Sequence, residues 1–200
     1  LPVERLIIYA WCPVPVIEFW WNGHNDAIAI FWMVAALLLM ARTPRRTAAH
    51  AAPGPASAGK GWPAVFWPLL TAKTPRWWRA IWVAPGVVAV TALIYWTPDW
   101  RQLIATARYM SGYVGGWRNN DSLYGVLLAI TGDQYTAKYT AFALLAVWVA
   151  WMIARGWPLE RAALGAAVAT LLVSANCHPW YLTWLVPLAA FVPWPPLLIW

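Results

Sequence analysis

Charge is the scarcest commodity in this sequence. Only 10% of its 200 residues are Asp, Glu, Lys or Arg, against about a quarter in an ordinary soluble domain. Acid is scarcer than base, with 7 Asp and Glu against 14 Lys and Arg. The basic residues form short clusters between apolar runs instead of one continuous face, which argues against nucleic acid as a partner. Cysteine is almost absent. Cys12 and Cys177 lie in unrelated apolar contexts without metal-ligand spacing, so they exclude a disulfide framework or a zinc module and read as two buried thiols. Neither a G-x-G-x-x-G nor a phosphate-binding P-loop occurs, which removes the common soluble nucleotide-binding classes. Leu1 to Arg5 lacks the layout of a secretory signal, and because Leu1 is not an initiator Met the chain is expected to be a fragment of a longer protein.

Apolar residues fill the space that charge vacates. The chain is 62% hydrophobic and holds 19 Trp, more apolar surface than one soluble core of this length can hide, so lipid is the expected solvent. Ala80 to Pro98 and Pro179 to Trp200 are long enough to cross a hydrocarbon core, which takes about 20 helical residues. Ala27 to Ala41, Tyr139 to Ala154 and Ala162 to Cys177 are shorter but free of charge, and flanking Trp, Tyr and Arg can anchor them at the interfaces. Leu6 to Trp21 contains Pro13, Pro15 and Glu18 and reads as a kinked span or a helix that breaks near the surface. Residues 43–61 read as a cytoplasmic linker or degraded helix, rich in Ala, Pro and Gly. The expected fold is therefore all-α: one transmembrane domain over residues 1–200, a polytopic bundle of about six to seven spans.

Basic clusters orient that bundle. Arg42, Arg45 and Arg46, then Lys73, Arg76 and Arg79, then Arg155 and Arg161 belong in the cytoplasm by the positive-inside rule. The opposite ends, Asn22 to Asp26, Asp99 to Lys138 and His178 to Tyr181, then face outside. Within the second of these, residues 99–138, the apolar run Leu123 to Ile130 predicts a re-entrant or interfacial helix on the outer face. Arg101, Arg108 and Arg118 put positive charge on that side, as a loop facing an anionic ligand would.

Polar residues near membrane depth cost a few kcal/mol each and persist where they face protein or a water-filled cavity. Here they cluster at the outer ends: Glu18, His24, Asn25 and Asp26; Arg118, Asn119, Asn120 and Asp121; Asn176, His178, Trp180 and Tyr181. Each has a bland reading too. Asp26 or Asp121 can cap the following helix, and His178 can sit in an interfacial belt with Trp and Tyr.

The same residues resemble a known family. Cys12-Pro13-Val14-Pro15-Val16-Ile17-Glu18 followed by Asn22-Gly23-His24-Asn25-Asp26 is similar to a signature of bacterial type C membrane glycosyltransferases that use polyprenyl-phosphate sugars. Trp117-Arg118-Asn119-Asn120-Asp121-Ser122-Leu123-Tyr124 resembles an external segment of that family, and the run from His178-Pro179-Trp180-Tyr181 to Pro187 resembles another of its motifs. Lys60-Gly61-Trp62-Pro63 is similar to its Lys-containing element at a helix end. The sequence departs from the pattern at Cys12, where the family usually has Asn, and at Pro53, Gly54 and Pro55, where it has a continuous helix. Family members are longer, and the aspartate usually taken as base lies upstream of anything in this chain.

What the resemblance implies is a bacterial inner-membrane enzyme with its active site outside. It would transfer a hexose, mannose favoured, from a lipid-linked donor to a lipid or glycan acceptor. Such chemistry needs a carboxylate for the acceptor proton, cations or N–H donors for the departing phosphate, and aromatic faces for the sugar. Asp26 and Asp121 fill the first role; Lys60, Arg118 and His178 the second; Trp117, Trp180 and Tyr181 the third. Glu18, His24, Asn25 and Asn120 complete the expected substrate-binding set. No cofactor and no metal ligand set is expected, with metal dependence open. A transporter segment with polar residues along a substrate path, or a non-catalytic truncated member of the family, is the alternative.

Overall fold

The computed structural model describes residues 3–43, 47–74, 77–94 and 99–195, and among them every regular element is helical. The chain opens with α1 (Leu6–Ala10), a three-residue turn α2 (Pro13–Pro15) and a π-helical turn Val16–Trp21. The prolines explain the breaks, since neither can donate a backbone N–H. Next come α3 (Asp26–Arg42), α4 (Thr47–Ala51), α5 (Pro53–Gly59), a 3-10 turn Trp62–Phe66, α6 (Trp67–Ala72) and α7 (Trp77–Ile94). After α8 (Trp100–Gly116) and α9 (Leu123–Thr131), the long pair α10 (Gln134–Ala154) and α11 (Leu159–Val173) forms a hairpin. A 3-10 turn Pro179–Trp184 and α12 (Leu185–Phe191) follow.

Local chemistry sets these boundaries. Gly132 ends α9 at φ 68°, and Asp133 caps α10, its carboxylate accepting from the Thr136 N–H at 2.7 Å. At the far end, Trp157 N donates to Met152 O at 3.1 Å and Gly156 N to Ile153 O at 2.9 Å, with Gly156 at φ 67°. This Schellman closure needs a left-handed residue, which Gly supplies without strain. Pro158 then stands immediately before α11.

Packing relies on small residues. Ala162, Ala163, Ala166 and Ala167 of α11 are all buried, which brings α10 close enough for Trp148 Nε1 to donate to Gly165 O at 3.1 Å. The core combines Ile30, Met33, Leu37 and Met40 of α3, spaced at helical intervals, with Phe66, Leu69, Met152 and Leu188. Gly54 lies so close to α7 that a Cβ there would stand 2.6 Å from Val87 Cβ and 2.9 Å from Ala84 O.

Several expectations change in detail. Residues 43–61 hold two short helices, α4 and α5, in which Ala49, His50, Pro53, Gly54 and Ala56 are buried. The stretch from Pro179 to Trp200, expected to be long enough to cross the membrane, opens among its described residues with a 3-10 turn and a seven-residue helix. Proline is the reason, for Pro179 and Pro187 cannot donate to a preceding turn and Pro193 and Pro195 follow. One described helix, α10, is long and apolar enough to cross a membrane by length and composition; α3 and α11, with 17 and 15 residues, are shorter. Residues 95–98 and 196–200 of the two longest expected spans, and Arg45, Arg46 and Arg76 of the basic clusters, lie outside the described residues. The expected outer stretch 99–138 is helical through α8 as well as α9; Trp100, Leu103, Ile104, Ala107 and Met110 share one face of α8, and of these only Leu103 is partly covered.

The elements sort their ends into two groups. Lys60, after α5, meets Asp26 at the start of α3, and Asn119 meets His178 after α11. At the opposite end, Arg5, Arg42, Lys73, Glu160 and Phe191 surround one cavity. Asp26, Lys60, imidazole and indole gather at the first end, and Arg5, Arg42 and Lys73 with Glu160 at the second.

Candidate functional site

Asp26 is the centre of the first end. It begins α3, yet its side chain caps nothing there and is completely buried. Oδ1 accepts the indole N–H of Trp184 at 2.8 Å, and Oδ2 faces the Lys60 ammonium at 3.0 Å. A buried carboxylate needs such partners, because stripping its hydration without compensation costs several kcal/mol. Lys60 follows α5 in extended conformation, keeps 29% of its side chain exposed and lies 5.5 Å from the Tyr181 ring centroid. It is a cation held at one side and open at the other.

Aromatic rings surround this pair. Trp184 stacks on Trp62 at 4.2 Å and on Tyr181 at 4.3 Å between centroids. Trp180 stacks with both His24 and His178, each at 4.2 Å, with interplanar angles of 19° and 6°. The compact 3-10 turn Pro179–Trp184 makes this possible, since Trp180, Tyr181 and Trp184 crowd within two turns. His24 also faces Glu18, Nε2 to Oε2 at 3.4 Å, and the same Oε2 accepts from Asn22 Nδ2 at 2.9 Å.

The segment after α8 docks onto the segment after α11. Asn119 N donates to Ala175 O at 2.9 Å, Cys177 N to Asn119 O at 2.7 Å, and Asn176 Nδ2 to Trp117 O at 3.0 Å. Asn120, at φ 52°, donates from Nδ2 to Cys177 O at 3.2 Å. Asn tolerates this left-handed geometry better than a branched residue. The clamp delivers Asn119 to the imidazole of His178, Nδ2 to Nδ1 at 2.7 Å. An amide N–H beside Nδ1 makes that nitrogen the acceptor and leaves the proton on Nε2. Burial first, then the charges of Lys60 and His24, lower the His178 pKa from the usual histidine value. The neutral imidazole that lets Nδ1 accept from Asn119 carries its proton on Nε2, which has no hydrogen-bond partner among the described residues.

Arg118 and Asp121 form their own pair: Nε and Nη2 both reach Oδ2, at 2.9 and 2.5 Å. Asp121 retains 18% side-chain exposure and makes no cap to α9, whose N-cap is Ser122. Of the expected site residues, Glu18, His24, Asp26, Lys60, His178, Trp180 and Tyr181 form one contiguous cluster, and Asn120, Arg118 and Asp121 flank it through the clamp. Trp117 contributes its carbonyl to the clamp while its side chain is 53% exposed. Asn25 is exposed at the N-cap of α3 without a side-chain cap bond and joins nothing in the cluster. Among the described residues no group of three His, Cys, Asp or Glu side chains could hold a metal ion.

Trp184, Trp62 and Asn119 hold the cluster together; all three stand inside the segments that carry the family resemblance, but none was among the expected site residues. Beside them lies a cavity of about 240 Å³ lined by Trp62, Tyr124, Asn176, Tyr181 and Trp184, among others. Two buried polar atoms belong to its lining residues and lack hydrogen bonds, the donor Trp62 Nε1 and the acceptor Asn176 Oδ1. The chain matches no family model, no curated protein and no solved structure.

Proposed function

We propose that this chain belongs to a polytopic membrane glycosyltransferase that takes a hexose, mannose favoured, from a polyprenyl-phosphate donor on the outer face. The observation that carries the reading is the meeting of Lys60, His178, Trp180 and Tyr181 around the buried Asp26. Segments far apart in sequence supply, at one end of a helical bundle, the cation, neutral N–H donor and aromatic faces that such a transfer requires.

The membrane part of the proposal rests on where the apolar residues point. Only Ala137, Ala141, Val149 and Met152 of α10 are buried, whereas Phe142, Val147 and Trp151 are 63%, 66% and 44% exposed. Soluble proteins rarely leave so continuous an apolar face in water. About six to seven crossings remain the proposed count, with proline-broken helices crossing beside α3, α10 and α11 where neighbours cover their freed backbone groups. An apolar groove of about 770 Å³, lined by Leu123, Leu144, Trp148, Trp157, Leu172 and Trp194 among others, offers room for an isoprenoid tail.

Each residue then has a role that its geometry suits. Lys60 and the Nε2–H of His178 stabilise the charge that grows on the leaving phosphate as the acceptor hydroxyl attacks the anomeric carbon. Trp180, stacked with His24 and His178, and Tyr181, stacked on Trp184, form a rigid aromatic wall beside the sugar. The cavity beside Tyr181, with its donor and its acceptor, is smaller than the roughly 300–1,000 Å³ that drug-sized ligands occupy and suits one monosaccharide. Asp26 has no exposed surface, so its part is to hold Lys60. Asp121 is the better-placed proton acceptor, since Arg118 engages Oδ2 and Oδ1 makes no hydrogen bond among the described residues.

Binding of a polyprenyl-phosphate hexose to the chain in nanodiscs tests this reading. Lys60→Met and His178→Ala should each weaken donor binding at least tenfold, a loss of the size expected for one charge-assisted or N–H contact to phosphate. Binding that is unchanged in both variants, or equal for polyprenol without phosphate, overturns the assignment.

A further inference from the structure

A second polar cavity lies at the other end of the bundle and plays no part in the chemistry above. Its volume is about 530 Å³, and Arg5, Arg42, Lys73 and Glu160 line it together with Leu38 and Phe191. The three cations come from three separate segments: the turn before α1, the last residue of α3 and the residue after α6. Glu160 is the one carboxylate on the lining. Among the described residues none of the three cations lies in an ion pair; Arg5 Nη1 donates to Phe191 O at 3.4 Å.

Helix ends account for part of this charge. Arg42 and Lys73 stand at the C-termini of α3 and α6, where cations offset the exposed carbonyls. That account stops short of the whole, because α11 points the opposite way. Its first residues, Leu159 and Glu160, line the same cavity, and its N-cap Pro158 gives the first-turn N–H groups no side-chain acceptor. Arg5, from outside both helices, converges there too. Three cations and a helix N-terminus around one space of that size make an anion site.

We propose that this cavity binds a phosphate-bearing anion, and that its occupant is the headgroup of an anionic phospholipid in the leaflet opposite the aromatic end. The 17 residues of α3 place Arg42 about 25 Å from Asp26, close to the roughly 30 Å of a hydrocarbon core. If one end of the bundle lies at one headgroup layer, this cavity lies at the other. Leu37, Leu38 and Met40 on its lining give the acyl chains an apolar wall beside the charges. Basic pockets between helices on the cytoplasmic side take such headgroups. The inference rests on the membrane part of the proposed function and is independent of glycosyl transfer.

The test uses the chain in nanodiscs of phosphatidylcholine alone or with phosphatidylglycerol, with lipid retention read by native mass spectrometry after transfer to detergent. Phosphatidylglycerol should be retained in preference to phosphatidylcholine. Arg42→Gln or Lys73→Gln should each weaken that retention about fivefold and the pair about twentyfold. Both side chains are exposed, so the folded bundle should survive, and unchanged helical circular dichroism checks this. Glu160→Gln should strengthen retention. Preference lost on adding millimolar inorganic phosphate, with phosphate binding absent in the double variant, would overturn the lipid assignment in favour of the free anion. Equal retention of both lipids by wild type and variants, without phosphate binding, overturns the site. Donor binding separates this from the proposed enzymatic role, since Arg42→Gln and Lys73→Gln should leave it unchanged whereas Lys60→Met should not.

Discussion

Trp184 donates its indole N–H to Asp26 Oδ1 at 2.8 Å, joining the last described helical region to the start of α3 across 158 residues. Lys60 completes the arrangement from a third segment at 3.0 Å. Trp184→Phe keeps the stacked ring between Trp62 and Tyr181 but leaves a buried oxygen without its donor. It should cost about 1–3 kcal/mol of stability, read from unfolding in detergent. Lys60→Met combined with Asp26→Asn should cost less than the sum of the two single changes, because each single change strands the other's partner. Additive effects would show that the ion pair contributes nothing to holding the end together.

His178 should carry a pH signature. Burial and the nearby Lys60 and His24 charges lower its pKa in the folded chain, so the unfolded chain takes up the proton more readily. Stability contributed by neutral His178 is therefore fully present above the ordinary histidine value near 6.5 and declines as pH falls below it. Protonation of Nδ1 also breaks the contact from Asn119. Protonation keeps the Nε2–H and adds a positive charge beside the phosphate, so donor binding should be level from about pH 8 to 6.5 and tighten below that range, and Asn119→Ala should shift the profile. A profile that ignores both the pH and Asn119 would leave His178 an aromatic neighbour of Trp180.

The clamp has a backbone test. Asn120 holds φ 52°, where a β-branched side chain is strained by about 1–2 kcal/mol. Asn120→Val should destabilise the chain by at least that amount and also weaken the Asn119–His178 contact, while Asn120→Gly keeps the backbone and loses only the bond to Cys177 O. Thermal unfolding of the two variants separates conformational strain from the lost hydrogen bond; equal losses would remove the strain argument.

Gly54 tests whether α4 and α5 are an integral part of the bundle. A methyl group there would stand 2.6 Å from Val87 Cβ and 2.9 Å from Ala84 O, too close for packed atoms. Gly54→Ala should cost about 1–3 kcal/mol by overpacking, although Ala favours helix more than Gly does. A stabilised Gly54→Ala protein would mean that α5 does not hold its place against α7.

Orientation is open to single-cysteine labelling in a background with Cys12 and Cys177 replaced. With a membrane-impermeant reagent added outside intact cells, cysteines at Gly23 and Gly116 should label and those at Ala48, Thr74 and Gly156 should not. Labelling at Gly156 from outside would reverse the proposed bundle.

Local pattern was enough to read the helical class and the polar ends. Asp133 before α10 and Gly156 after it act through bonds to residues a few positions away, so these helix ends are set locally. Proline breaks were legible near Pro13 and Pro15 for the same reason. They were underread after Pro179, where apolar length suggested a span but four prolines leave a 3-10 turn and a short helix. The motif residues at positions 24, 26, 60, 178, 180 and 181 could be named as a set from the sequence, though not their division of labour. Asp26 was expected as a cap or a base, and the structure adds its burial between Trp184 and Lys60. That outcome depends on the register of α3 against α5 and the final 3-10 turn, which no window of sequence contains. The same holds for Asn119, ordinary in its own segment and decisive only because the backbone bridge to residues 175–177 brings it to His178. Apolar periodicity and chain breakers act over one or two turns and so are written locally, whereas the burial of a charge is set by which distant side chains arrive to compensate it.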